Sequence, residues 1–171
     1  MHKQFKNDWP KFYQQLQSRK AKPVEAILPG ATEAELQKLE EILGLPLPES
    51  YKRLLRCARG FWLRGGTIQF SSGHPFFHNF AKLEELTPRQ LQTLRAKGGI
   101  WPPPSQGMLC FAEFFMEADG DQVLFDVSGG LQDGEYPIMY YAHEDNPPSV
   151  RKLADSFAQW MDEFLDYKEW S

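Results

Sequence analysis

Residues 32–60, TEAELQKLEEILGLPLPESYKRLLRCARG, constrain the fold more than any other stretch, because they encode two capped amphipathic helices joined by the corner Leu45-Pro46-Leu47-Pro48. Thr32 and Glu35 have capping-box spacing: the hydroxyl accepts from an orphan backbone N–H while the carboxylate reaches back to the cap. Leu36, Leu39, Ile42 and Leu43 then share one face, and Gly44 supplies a left-handed stop. Pro48 suits the first turn of a second helix, where a missing N–H costs nothing, and Tyr51, Leu54, Leu55 and Ala58 form its apolar stripe. Glu49 lies toward the positive end of that helix, and Lys52, Arg53, Arg56 and Arg59 toward the negative end. The pair is structural and carries no chemistry of its own.

The remainder of the chain supplies strands and a closing helix. Asp8 is placed to cap an opening helix in which Trp9, Phe12, Tyr13 and Leu16 recur at helical spacing, with Pro10 in its first turn and an end near Arg19. Pro23 and Pro29 frame a connector. Ile68 and Phe70 alternate with polar residues as in a half-buried strand, after a turn at Gly65-Gly66. Residues 74–106 read as a long connection holding a short helix that starts at Thr87-Pro88. Residues 108–115 and 122–127 are two strands around a hairpin turn at residues 117–121, and residues 136–142 are a further strand in which Pro137 calls for an edge. Asn146-Pro147-Pro148 ends that pattern, and Val150, Leu153, Phe157, Trp160, Met161 and Phe164 share a face of a final helix. This order is not the strand-helix alternation of a doubly wound nucleotide fold; it predicts an α+β domain with a mostly antiparallel or mixed sheet packed against helices. At 171 residues the chain suits one domain: an N-terminal helical segment, residues 1–22, packed on a domain of residues 23–171.

The helix pair resembles that of the SUKH superfamily, which includes the cell-wall assembly regulators: an acidic helix, then Leu-Pro-x-x-Tyr, here Leu47-Pro48-Glu49-Ser50-Tyr51, then a Leu-rich helix closing on Gly. Residues 119–125, DGDQVLF, are similar to the family's Gly/Asp turn and apolar strand, and residues 153–165, LADSFAQWMDEFL, to its closing helix. Where many members have Asn-Gly-Gly after the second helix, this chain has Arg59-Gly60-Phe61. The resemblance implies the same α+β architecture and a role in protein binding.

Composition narrows the function classes. Hydrophobic residues make up 42% and aromatic residues 14%, which argues for a packed core and against disorder. No apolar run approaches the roughly 18 residues needed to span a bilayer, and the charged, aromatic N-terminus lacks the middle region of a signal peptide, so no membrane association is expected and a cytoplasmic location is. Cys57 and Cys110 read as buried thiols rather than a disulfide framework. Residues 1–107 hold 16 Lys/Arg against 9 Asp/Glu, whereas residues 108–171 hold 3 against 14. That split suits an acidic surface facing a basic partner, or basic helices and acidic strands that neutralise one another within one domain.

Specific chemistries find little support. His74 and His78 have a metal-binding His-x3-His spacing, but Pro75 argues against a helix and no Glu, Asp or Cys completes a site. Asp119, Asp121 and Asp126 suggest calcium, yet Val123 falls where the loop would need an oxygen donor. Cys57 or Cys110 with His143 and an Asp makes a formal nucleophilic triad without any local signature. Carboxylate pairs such as Glu113 with Glu117, or Glu144 with Asp145, do not establish a glycosidase separation. The glycine pairs lack phosphate-loop context, so they serve turns and no cofactor is expected. The basic residues of the second helix form a solvated face in a chain of pI about 5.6, and no direct nucleic-acid binding is expected.

Two functions follow. The first is a non-catalytic immunity protein that neutralises a cognate polymorphic toxin, a role that the resemblance implies for bacterial members. Such a toxin, often a basic nuclease, would meet a surface of Asp119, Asp121, Asp133, Glu135, Glu144 and Asp145 with Tyr140 and Tyr141 as aromatic anchors, or these acids are turn residues that keep the chain soluble. The second is an intracellular regulatory or scaffold module of the cell-wall assembly regulator type. The absence of long disordered flanks favours the first. A hydrolase would require a clustered, perturbed set of titratable groups in a pocket.

Overall fold

The computed structural model describes residues 2–18, 29–59, 61–62, 69–70, 107–113 and 121–163. Asp8 is not the opening cap, because helix starts sooner: α1 spans His2–Asp8 and α2 Pro10–Ser18. Pro10 has no N–H to offer the carbonyl four residues back, so the ladder is interrupted there. The helical path nevertheless continues, with the Trp9 amide donating to the Phe5 carbonyl at 2.8 Å and the Tyr13 amide to that of Trp9 at 2.9 Å.

The helix pair forms as its caps require. In α3 (Glu33–Leu43) the Glu35 amide donates to Thr32 Oγ1 at 3.2 Å, and the Thr32 amide to Glu35 Oε2 at 2.8 Å. Gly44 closes the helix at φ 72°, its N–H on the Glu40 carbonyl. The Glu40 side chain spans the corner, its Oε2 accepting from the Leu47 amide at 3.0 Å. Pro48 sits at the cap of α4 (Glu49–Cys57), one residue before the helix rather than inside its first turn. Tyr51, Leu54, Leu55 and Ala58 are buried as their spacing demands.

Strands β1 (Phe61–Trp62), β2 (Gln69–Phe70), β3 (Met108–Glu113), β4 (Gln122–Asp126), β5 (Ile138–Ala142) and β6 (Ser149–Ala154) form one antiparallel sheet in sequence order. Sequence and structure part over β6. Val150 and Leu153, placed on the final helix by their spacing, belong to a strand that pairs with β5 from Ala142↔Ser149 to Ile138↔Ala154. The closing helix, α5, covers only Phe157–Glu163. Its start is set by Ser156, whose Oγ accepts from the Gln159 amide at 3.1 Å. With β6 in place, β5 is an interior strand, and Pro137 lies just ahead of it rather than on an edge. There its missing N–H breaks no ladder bond, and its carbonyl accepts from the Asp126 amide at 2.9 Å.

The helices cover one face of the sheet. Tyr51 of α4 meets Phe111, Phe125 and Phe157 with ring centroids 5.8, 5.1 and 5.0 Å apart, joining helix, sheet and closing helix. Phe5, Trp9 and Phe12 belong to the same buried cluster. Cys110, Gln122 and Leu124 point to the other face and are also buried, so β4 is covered on both sides rather than alternating. Tyr136 fastens the entry of β5 to the Leu-Pro corner, donating to the Pro46 carbonyl at 2.7 Å. The readings at Gly65-Gly66, at residues 74–106 including His74 and His78, at the turn 117–120 and at Phe164 lie outside the described residues.

Candidate partner-binding site

Of the eight residues read from the sequence as a partner surface, the seven that the structure describes separate into two groups at opposite ends of the sheet. The register Gln122↔Tyr141 to Phe125↔Ile138 brings the start of β4 beside the end of β5. Asp121, Tyr140, Tyr141, Glu144 and Asp145 therefore gather at one end. The β4–β5 connection carries Asp133 and Glu135 to the other, about 15 Å away at roughly 3.3 Å per residue. Asp119 lies outside the described residues.

At the first end, Asp121 is an anchor. Its side chain is only 13% exposed and accepts from the Tyr140 hydroxyl at 2.5 Å, from the His143 amide at 2.9 Å and from His143 Nδ1 at 2.7 Å. The carboxylate acceptor fixes the ring proton on Nδ1 and leaves Nε2 facing Glu144 Oε1 at 3.8 Å. Arg151 of β6 stacks on the Tyr140 ring at 4.9 Å. Buried and engaged on both sides, Tyr140 is a support and not an exposed anchor. What this framework presents outward is the β5–β6 turn, where Glu144 is 79% exposed and Asp145, also exposed, accepts from the Ser149 hydroxyl. Tyr141 is half-buried on the opposite face of β5 from Tyr140.

The second group has local structural duties. Asp133 (φ 52°) and Gly134 (φ 76°) form the tip of a tight turn whose flanking residues, Gln132 and Glu135, exchange amide–carbonyl bonds of 2.9 and 3.0 Å. Two successive positive φ angles match the twist of the flanking strands, which explains the Asp-Gly pair. Glu135 accepts from the Phe157 amide at 3.1 Å, satisfying an orphan donor at the start of α5 and placing negative charge at its positive end.

His143 is the member of this constellation that sequence reasoning placed elsewhere, as the formal base of a cysteine triad. Both thiols are engaged away from it: Cys110 Sγ donates to the Ala112 carbonyl at 3.3 Å, and Cys57 Sγ to Asp8 Oδ2 at 3.6 Å. Burial, reinforced by the Asp8 charge, pushes the Cys57 thiol up to about 12. Asp126, the other calcium candidate, accepts from the Ser128 amide at 3.1 Å and hydroxyl at 2.6 Å, as in an Asx turn. Among the described residues no group of three or more His, Cys, Asp or Glu is arranged to hold a metal ion.

The basic residues of α4, and Arg59 just beyond it, are matched within the chain. Lys52 Nζ reaches Glu40 at 3.1 Å and Glu49 at 3.4 Å, and Arg56 joins Glu33 at 2.6 Å and Glu49 at 2.5 Å. Arg53 lies 4.4 Å over the Trp9 ring, and Arg59 Nε donates to the Pro29 carbonyl at 3.0 Å. An open cleft of about 360 Å³ beside this network is lined by Glu33, Leu36, Gln37, Glu40, Glu41 and Lys52.

A capped helix pair turning on Leu-Pro, an antiparallel sheet and a closing helix follow one another along the chain, and the family model for the SMI1 / KNR4 family (SUKH-1) matches residues 30–163. The chain belongs to the SMI1 / KNR4 (SUKH-1) family. No curated protein matches it. In this SUKH-1 chain the match begins at Gly30, just ahead of the capping box, and ends with the last residue of α5; α1 and α2 precede it. Among the described residues no helix is long and apolar enough to cross a membrane.

Proposed function

We propose that this SUKH-1 protein is a non-catalytic binding module of the bacterial cytoplasm, an immunity protein that occupies a cognate polymorphic toxin with a basic surface. The observation that carries this reading is the exposed Glu144-Asp145 turn, held by the half-buried His143 on the buried Asp121–Tyr140 pair, within a chain third of 14 acidic and 3 basic residues. Acids on a pre-set turn cost little ordering on binding and steer a cationic partner. Asp121 and Tyr140 support the surface from beneath, and Glu144, Asp145 and Tyr141 make contact.

The experiment is co-expression with a toxin encoded beside the gene. The expected outcome is protection of the host and a complex whose dissociation constant rises with salt. Glu144→Lys combined with Asp145→Lys should weaken it at least about tenfold, mainly through slower association. Absence of both protection and a complex would dismiss the immunity role and leave the regulatory or scaffold role of the cell-wall assembly regulators as the reading to pursue.

A further inference from the structure

We propose that the cleft between α4 and α5 is a helix-binding groove of the SUKH-1 domain, occupied in cis by residues 2–18. In their place it accepts an amphipathic helix with large aromatic residues at i, i+4 and i+7. Phe5, Trp9 and Phe12 have that spacing, and the Phe5–Trp9 and Trp9–Tyr13 backbone bonds keep it helical past Pro10. These three side chains are buried as anchors of a helix in a groove are.

The walls and rim are defined by named contacts. Trp9 packs edge-on against Phe157 of α5 with centroids 5.9 Å apart, while Arg53 of α4 covers its other side at 4.4 Å. Asp8 takes the Cys57 thiol of α4, and Lys11 faces Asp162 of α5 at 3.8 Å. The occupant thus offers three aromatic anchors with one acid and one base at the edges, a pattern that specifies orientation as well as affinity. Both walls lie within the family match at residues 30–163, and the occupant lies wholly before it.

The test uses the full chain with a protease recognition sequence inserted after Lys22, folded intact and then cut. A fluorescent synthetic peptide of residues 1–22 is the probe. The two pieces should co-elute after cutting, the labelled peptide should exchange into the complex, and excess unlabelled peptide should displace it. A peptide carrying Trp9→Ala should compete about 100-fold less well, as expected when a central aromatic anchor is removed. Since the substitution is made only in the peptide, folding of the domain is not at risk. Failure of the segment to exchange while the fold persists would overturn the proposal, as would loss of the far-ultraviolet circular dichroism of the remainder once the segment leaves. Either result would make residues 2–18 a fixed part of the core.

Discussion

Gly30 shows how a single residue can be decided by something remote in sequence. A Cβ at this position would stand 1.9 Å from the Arg56 carbonyl oxygen, at the end of α4. The close approach lets the Ala31 amide donate to the Leu55 carbonyl at 2.8 Å and the Arg59 amide to that of Pro29 at 3.1 Å, so the incoming chain satisfies groups at the end of α4. Gly30→Ala should therefore destabilise the protein by about 1–3 kcal/mol, the usual cost of overpacking, read as a lower urea midpoint at unchanged slope. Asp121 makes the same point about the site. From sequence it is one more turn acid, and nothing in its neighbours reveals that three donors converge on it. Those donors arrive from Tyr140 and His143 only because β4 and β5 pair in the observed register.

Elements differ in how far local sequence governs them. The boundaries of α3 were legible to the residue, since Thr32, Glu35 and Gly44 act within one or two turns of themselves. The strand β6 was not: Val150 and Leu153 fit a helical stripe with Phe157, and the choice falls to β5, whose free side needs a ladder. Between α3 and α4 the ion-pair network gives a pH signature. Hydrogen bonds from Arg56 hold both Glu33 and Glu49 below the ordinary carboxylate value of 4.5. A depressed carboxylate binds its proton less readily folded than unfolded, so its contribution is present above about pH 4.5 and is lost as pH falls through the folded-state values. Thermal midpoints measured from pH 7 to pH 3 should drop more steeply below pH 4.5 in the wild type than in Arg56→Met, where the largest cause of these shifts is removed and only the weaker pull of Lys52 is left. Parallel curves would show that the pairs contribute nothing through solvent.

At the scale of the molecule, Phe157 is where the segments meet. Its ring lies within 6.0 Å, centroid to centroid, of Trp9, Tyr51, Phe111, Phe125 and Trp160, which come from the N-terminal helices, α4, two strands and α5 itself. Phe157→Ala should cost about 3–5 kcal/mol, and tryptophan fluorescence and far-ultraviolet circular dichroism should still report one coincident unfolding transition. Separate transitions would mean that helices and sheet do not share this core. By itself the sequence determined what acts over a few residues: the caps, the Leu-Pro corner, the apolar stripe of α4 and the succession of helices, then strands, then a closing helix that makes an α+β domain. Only the tertiary structure decided which side of a helix-like stripe became a strand, why position 30 has no side chain, and which acids face outward. The physical reason is range. Capping and periodicity are carried by bonds within a turn or two, whereas burial of Asp121, diversion of Glu135 to α5 and exposure of Glu144 depend on partners brought together by strand pairing and packing.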